Sequence, residues 1–251
     1  MKRLTLPSIF PRLPLCHAYL LCMAFCCRAT AGDFAVSPIR LDFDRTTKTG
    51  VIAVTNDADN NLQLQMKAFE WTQDAEGKDK YEESDDLIFF PRIASVEKGA
   101  RQLLRTSYKI PATDKQKTYR LFIEEIPGPQ KDPAQGAQIA VAVRFGVPIF
   151  IKPLKEDVKG EVESVQYADG KLQVRIKNTG NTHFFINNVQ LKSQDAVAED
   201  QKGWYLLSGA ARTYSFEMTA EKCRALGKFD VLVKTDVVEF NRPIDAGLCA
   251  P

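Results

Sequence analysis

The chain of 251 residues carries 34 basic against 32 acidic residues, is 44% hydrophobic and has two histidines. Charge this balanced excludes the concentrated basic surface of a nucleic-acid binder, and the length is ample for two small domains. Few histidines also leave little material for acid–base or metal chemistry.

The N-terminus opens with a basic pair, Lys2 and Arg3. An interrupted apolar stretch follows from Leu13 to Phe25, and Ala29-Thr30-Ala31 places small residues at both cleavage-site positions. Residues 1–31 therefore read as a secretory signal removed after about Ala31. The apolar run, broken by Pro14 and His17, is too short to span a bilayer, so no stable membrane insertion is expected. Cleavage removes Lys2, Arg3, Arg12 and Arg28 and no acid, leaving 30 basic against 32 acidic residues and a net charge of −2. Four of the six cysteines leave with the signal. Cys223 and Cys249 remain, an even pair in an oxidising compartment, and are expected to form one disulfide; the alternative is two buried free thiols.

Nearly every later segment reads as strand. Val51–Thr55, Leu62–Met66, Leu87–Phe90, Arg101–Arg105 and Tyr119–Ile123 are separated by turn chemistry at Asn56-Asp57, Asp59-Asn60-Asn61, Lys98-Gly99 and Pro127-Gly128. The interval Asp74–Asp86 holds seven carboxylates and two lysines and reads as a solvated loop, because no regular Ca²⁺-loop spacing is present. Trp71 and Trp204 read as core or edge aromatics. Next comes Ile139–Ile151, whose odd positions Ile139, Val141, Val143, Phe145 and Val147 line one face of an extended strand. The other face carries only Ala140, Ala142, Arg144 and Gly146. Pro148 is expected to remove a ladder hydrogen bond and to mark a bulge or kink. Periodicity alone leaves open whether this strand finishes its own sheet or is lent to another protein.

A polar linker, residues 153–160, interrupts the pattern, and Lys152 before it is placed to help fix the angle between domains through an ion pair. Strands resume at Val162–Val165, Leu172–Ile176, Val189–Leu191, Tyr214–Met218 and Phe229–Val233, with Asp169-Gly170 a strong hairpin turn. His183 follows the turn-like Asn178–Thr182 and reads as a surface or turn residue. Thr219–Leu226 can form a short helical turn. Many short strands with no helix-length period predict an all-β chain of two β-sandwich domains.

The search for chemistry returns little. His183 is the only histidine after cleavage, the two cysteines are distant and would be consumed by a disulfide, and no glycine-rich phosphate loop is present. No catalytic residue, metal site or cofactor is expected, and the chain does not read as an enzyme.

The chain resembles the periplasmic pilus-assembly chaperones of the chaperone–usher pathway, the PapD-like family, over essentially all of its mature length. The resemblance rests on Pro38–Asp44 leading into Val54–Asp57, on Phe90-Pro91-Arg92 leading into Lys98–Arg101, on Tyr119–Pro127, and on Gln138–Ala140 running to Ile149–Pro153. Asn178–Asn181 is a softer signal. The resemblance implies two immunoglobulin-like domains in a boomerang arrangement, with a signal at 1–31, an N-terminal domain at 32–152, a linker at 153–160 and a C-terminal domain at 161–251. It also implies a periplasmic location and delivery of pilin subunits to an outer-membrane usher.

In this family a chaperone strand completes the unfinished sandwich of a pilin. Here the donor would be 139–147, presenting Ile139, Val141, Val143 and Phe145. Each such side chain contributes about 1.5–3 kcal/mol when buried, before ordering costs. A basic pair in the cleft would anchor the pilin's C-terminal carboxylate. Arg40 matches its first member, and an arginine fork suits a carboxylate. The family's lysine falls on Pro148 counting back from Lys152-Pro153, or on Gly146 counting forward from Gln138; neither is basic. Arg144 shares their strand parity and is the expected substitute. Without client, an exposed apolar donor edge invites self-association. The competing reading is a two-domain periplasmic or surface β-sandwich adhesive or binding protein whose Ile139 strand serves only its own core.

Overall fold

The computed structural model describes residues 34–127, 142–193 and 196–249, so the expected signal segment, Ile139 and Val141 lie outside them. The N-terminal half comprises β1 (Phe34–Ser37), β2 (Leu41–Phe43), β3 (Thr49–Asn56), β4 (Leu62–Gln73), β5 (Asp79–Glu83), β6 (Leu87–Phe90), β7 (Ile93–Val96), β8 (Arg101–Tyr108), β9 (Lys117–Glu125) and β10 (Arg144–Ile151). One sheet has the order β1-β3-β8-β6; the other runs β2-β10-β9-β4-β5, with β7 also on β4. Alternation decides which side chains meet between them: Ile52 and Val54 of β3, Leu64 and Met66 of β4, Leu121 and Ile123 of β9, and Val147 and Ile149 of β10 are buried in one core.

The C-terminal half comprises β11 (Gly160–Ala168), β12 (Lys171–Asn178), β13 (Phe184–Ser193), β14 (Ala196–Lys202), β15 (Tyr205–Leu206), β16 (Ala211–Glu217), a short helix α1 (Ala220–Ala225), β17 (Lys228–Thr235), β18 (Glu239–Asp245) and a 3-10 turn (Ala246–Cys249). Its sheets are β11-β12-β16 and β14-β13-β17-β18, with β15 on β13, around a second core that includes Val174, Ile176, Val189, Phe216 and Val231. The fold is therefore all-β with two sandwiches, as expected. Asp169 (φ 50°) and Gly170 (φ 72°) both take the left-handed conformation that the β11–β12 turn requires. Thr219 caps α1 through its hydroxyl, which accepts from the Lys222 N–H at 3.2 Å. That helix carries Cys223, which is bonded to Cys249 with the Cα atoms 5.8 Å apart.

The acidic interval is more ordered than a loop. Asp79–Glu83 pairs with β4 from Phe69 opposite Glu83 to Gln73 opposite Asp79. Its side chains are mostly exposed, as the solvated reading requires, but the backbone is an edge strand whose charges discourage further pairing. Among the described residues no helix is long and apolar enough to cross a membrane.

Candidate functional site

β10 is bonded to β9 along its whole length, from Arg144 opposite Glu124 to Ile151 opposite Lys117. On its other side β2 pairs only with Ile149–Ile151. Residues Arg144–Pro148 therefore have no second strand in register with them among the described residues, although the Gly146 carbonyl accepts from Arg120 Nη1 at 3.0 Å. The Glu125 N–H donates to the Val143 carbonyl at 2.9 Å, which sets the phase of the ladder. Alternation then turns Val143, Phe145 and Val147 towards β9, and turns the N–H and C=O groups of Arg144, Gly146 and the Pro148 carbonyl away from it. The expected bulge at Pro148 is absent: its register on Arg120 is continuous, because its missing N–H lies on the edge that β9 does not use.

The side chains of this sheet that point away from its own core form a junction with the second sandwich. Trp71 and Phe150 are fully buried there against Leu207 and Tyr205. The Phe150 ring stacks on His183 at 3.5 Å, and Trp71 meets Tyr205 edge-on at 5.4 Å. The Arg40 guanidinium lies 4.9 Å from the Phe150 ring centroid and binds Asp42 with two hydrogen bonds of 2.7 and 2.8 Å. Its Nη1 is 3.7 Å from Asp236 of the second sandwich. Burial tends to lower the Arg40 pKa, but the Asp42 hydrogen bond and charge, with Tyr205 and Asp236, outweigh it, so the group is held more firmly protonated. Arg120, on β9, lies 4.1 Å over the Trp71 ring, with Trp204 and Tyr205 at 5.6 and 5.8 Å.

Paired amides hold the two sandwiches together. Gln73 donates to the Tyr205 carbonyl and accepts from the Leu207 N–H, both at 2.9 Å. Asn181 donates to the Asp114 carbonyl at 2.7 Å, and the Gln116 N–H donates to the Asn181 carbonyl at 2.9 Å. Lys152 has a different part from the one expected: its ammonium pairs with Glu156 at 3.2 Å, four residues on, and both side chains are substantially exposed. Such a local pair contributes about 0–1 kcal/mol and does not bridge the domains.

His183 is not a surface residue. It is buried at the junction, and Gln116 Oε1 accepts from its backbone N–H at 2.9 Å and meets its Nδ1 at 2.6 Å. Burial, and secondarily the Arg40 charge, lowers its pKa to about 3. An unfolded histidine titrates near about 6.5, so between the two values the unfolded chain binds more protons and stability falls as pH falls. Urea unfolding is expected to show wild type losing about 2 kcal/mol more than His183→Phe between pH 7 and pH 5. An identical loss in both proteins would mean that His183 is charged in the folded state.

The expected site residues are dispersed unevenly over this geometry. Arg40 stands in the junction cleft. Arg144 lies on the same sheet face but is engaged locally, with Nε 2.6 Å from Glu124 and the guanidinium 3.7 Å over the Phe122 ring. Val143 is half-buried, and Phe145 packs against the core of its own sandwich. Arg120, Tyr205 and the Gln73 and Gln116 side chains were not legible as site residues. The one available signal was the unbroken buried run Tyr119–Ile123, since a strand buried on both faces must be covered by something beyond its own sandwich. Among the described residues no group of three or more His, Cys, Asp or Glu is placed to hold a metal.

Residues 33–156 match the family described as pili and flagellar-assembly chaperone, PapD N-terminal domain. The chain is 29% identical over 143 residues to a probable fimbrial chaperone EcpB of Klebsiella pneumoniae, an alignment covering 55% of this chain and 60% of that protein. It thus spans about 60% of that relative's length. An Escherichia coli protein of the same description is 24% identical over 186 residues, covering 72% of this chain and 79% of that one. Among solved structures, the fold is similar to a chain of the CsuC–CsuE chaperone–tip adhesion subunit pre-assembly complex from the archaic chaperone-usher Csu pili of Acinetobacter baumannii. The TM-score is 0.59 at 18% identity, over 85% of this chain and 98% of that one.

Proposed function

We propose that this chain, which belongs to the PapD-like fimbrial chaperones, captures pilin subunits in the periplasm by lending them the strand that leads into β10, and hands them to an outer-membrane usher. The observation that carries this reading is the edge at Arg144–Pro148, which has no second strand in register among the described residues, is continuous with the alternating segment from Ile139 and lies on the sheet that also bears the Arg40 cleft. An extended segment from a client can add to such an edge through backbone hydrogen bonds, while alternate side chains fill its groove. Arg40 supplies a fixed positive charge for a terminal carboxylate. The family consists of chaperones rather than enzymes, and the solved neighbour is a chaperone bound to a tip adhesion subunit, which supports a pilin-type partner.

A second reading keeps one observation in its favour. Phe145 and Val147 pack against the core of their own sandwich, so the downstream part of the strand serves this chain. Donation is then confined to Ile139, Val141 and Val143.

Co-purification with a pilin-like subunit from the same genome decides between them. Wild type is expected to retain the subunit, whereas Val141→Asp, folded by circular dichroism, is expected to recover at least about 10-fold less, because a carboxylate cannot enter an apolar groove without a partner. Equal recovery would sink donation through this segment and bring the adhesive or binding-protein reading forward.

A further inference from the structure

The outward face of the β1-β3-β8-β6 sheet is not built like an ordinary solvated surface. The alternation that sends Ile52, Val54, Leu87 and Leu104 into the core sends Val51, Ile88, Phe90 and Leu103 outward. These four are 43%, 54%, 72% and 46% exposed, respectively. Register gathers them into one patch: Phe90 lies opposite Arg105, and Arg105 lies opposite Val51. Leu103 is the neighbouring outward residue of β8, and Ile88 that of β6. Together they leave on the order of 400 Å² of apolar surface in water, a size at which exposed patches are often functional.

The charge on this face has one sign. No outward position of the four strands carries an acid, while Arg101 and Arg105 stand exposed on β8. Among the described residues neither is within ion-pair distance of a carboxylate, whereas Arg40, Arg144 and Arg175 all are. The carboxylates Asp79, Glu82 and Glu83 sit on β5 in the other sheet, and Asp86, which leads into β6, accepts from the Tyr119 hydroxyl at 2.8 Å. At the Ile88 end the exposed Asp85 and Lys109 are of opposite sign, so the positive charge concentrates towards Arg105 and Arg101.

We propose that this face docks on an anionic lipid bilayer, the chain lying on the surface without crossing it. Apolar side chains enter the headgroup boundary, while arginines lay their stems along apolar surface and keep their charge at the phosphates. A second copy of this chain fits badly, because a two-fold pair of such faces sets Arg101 and Arg105 against their own copies with no acid between them. A stable protein partner fits badly too, since the patch is half of the about 800 Å² that such an interface takes from each side. A bilayer asks for no shape complementarity, only a few inserted side chains and a positive field. The surface shares no residue with the β10 edge or the Arg40 cleft, so it stands or falls apart from the chaperone reading. Because the junction lies on the outward face of the opposite sheet, a chain held this way keeps that cleft in water.

The test is flotation of the full mature chain with large unilamellar vesicles, of phosphatidylcholine alone and of phosphatidylcholine with about one third phosphatidylglycerol. Wild type is expected to float with the anionic vesicles only, and to be released between about 0.05 and 0.5 M salt as screening sets in. Arg101→Gln/Arg105→Gln is expected to bind about 10-fold more weakly or worse, and Phe90→Ser/Leu103→Ser likewise. Val141→Asp is expected to float as wild type does. Wild type that ignores anionic vesicles, equal flotation on neutral ones, or a folded arginine variant that floats undiminished would each overturn the proposal. Lost flotation in Val141→Asp would overturn it as well, by assigning lipid binding to the segment ahead of β10. A wild-type dimer that Phe90→Ser/Leu103→Ser abolishes, with no vesicle binding, would give the face to a second copy. If Phe90→Ser/Leu103→Ser does not fold, the exposed arginine pair decides alone. That arginine variant should still capture a pilin-like subunit as wild type does; lost capture would place the face in client binding and overturn the lipid assignment.

Discussion

Trp71→Ala is expected to destabilise the folded chain by about 3–5 kcal/mol, the range for truncating a fully buried large aromatic, and to lower the cooperativity of unfolding between the two sandwiches. Trp71 has no exposed surface, and its contacts come from both halves: Phe150 at 6.0 Å, Tyr205 at 5.4 Å and the Arg120 guanidinium at 4.1 Å. Removing it opens a cavity at the junction and strips a buried cation of its nearest π face, so two penalties add. Scanning calorimetry is the appropriate measurement. Wild type should unfold with one midpoint for both halves, and the variant with a lower midpoint or with two separated transitions. Trp204→Ala serves as the control, because its ring is substantially exposed and its loss is expected to cost only about 1 kcal/mol. A Trp71→Ala protein melting as wild type does would show that the junction contributes nothing to stability, and that the cleft is free to open.

Whatever depended on one strand's own periodicity was legible in the sequence. The alternating runs became β3, β4, β8, β9 and β10, Asp169-Gly170 became a left-handed turn, and Thr219–Leu226 became the short helix α1. What depended on how separate segments come to lie together was not. The ladder phase that makes Pro148 harmless is set by the pairing of Val143 with Glu125, eighteen residues apart, and a single strand carries no trace of it. Arg144 was placed on the correct face by parity, but its engagement by Glu124 follows from register across two strands. His183 looked like a turn residue because its neighbours Asn178–Thr182 are polar. Part of that polarity serves the other sandwich: Asn181 donates to the Asp114 carbonyl, and next in the chain the His183 N–H donates to the Gln116 side chain. A polar loop facing a second domain and a polar loop facing water have the same composition.

That loop hangs on Asn178, and Asn178→Ala is expected to cost about 3–5 kcal/mol and to loosen the junction as well. The side chain is fully buried. Its Nδ2 donates to the Thr182 carbonyl at 2.7 Å and the Leu206 carbonyl at 2.9 Å, and its Oδ1 accepts from the Gly180 N–H at 3.0 Å. Alanine removes the side-chain donor from the Thr182 and Leu206 carbonyls, at about 1–3 kcal/mol each where burial persists, while the Gly180 N–H keeps the Lys159 carbonyl at 3.1 Å. Asn178→Asp should be worse still, since a carboxylate cannot donate to two carbonyls. Asn56 does the same work at the end of β3, donating to the Asn60 and Val96 carbonyls at 2.8 Å and accepting from the Ala58 N–H at 2.9 Å. The two variants should therefore cost similar stability, but only one is tied to the junction. Hydrogen exchange at the Gln116 amide, which donates to the Asn181 carbonyl, separates them: Asn178→Ala should accelerate it beyond the change in global stability, and Asn56→Ala should not. Equal acceleration in both would mean that the Thr179–Thr182 loop holds its shape without Asn178, and that the paired amides of Gln73, together with the stacked aromatics, set the relation of the two sandwiches.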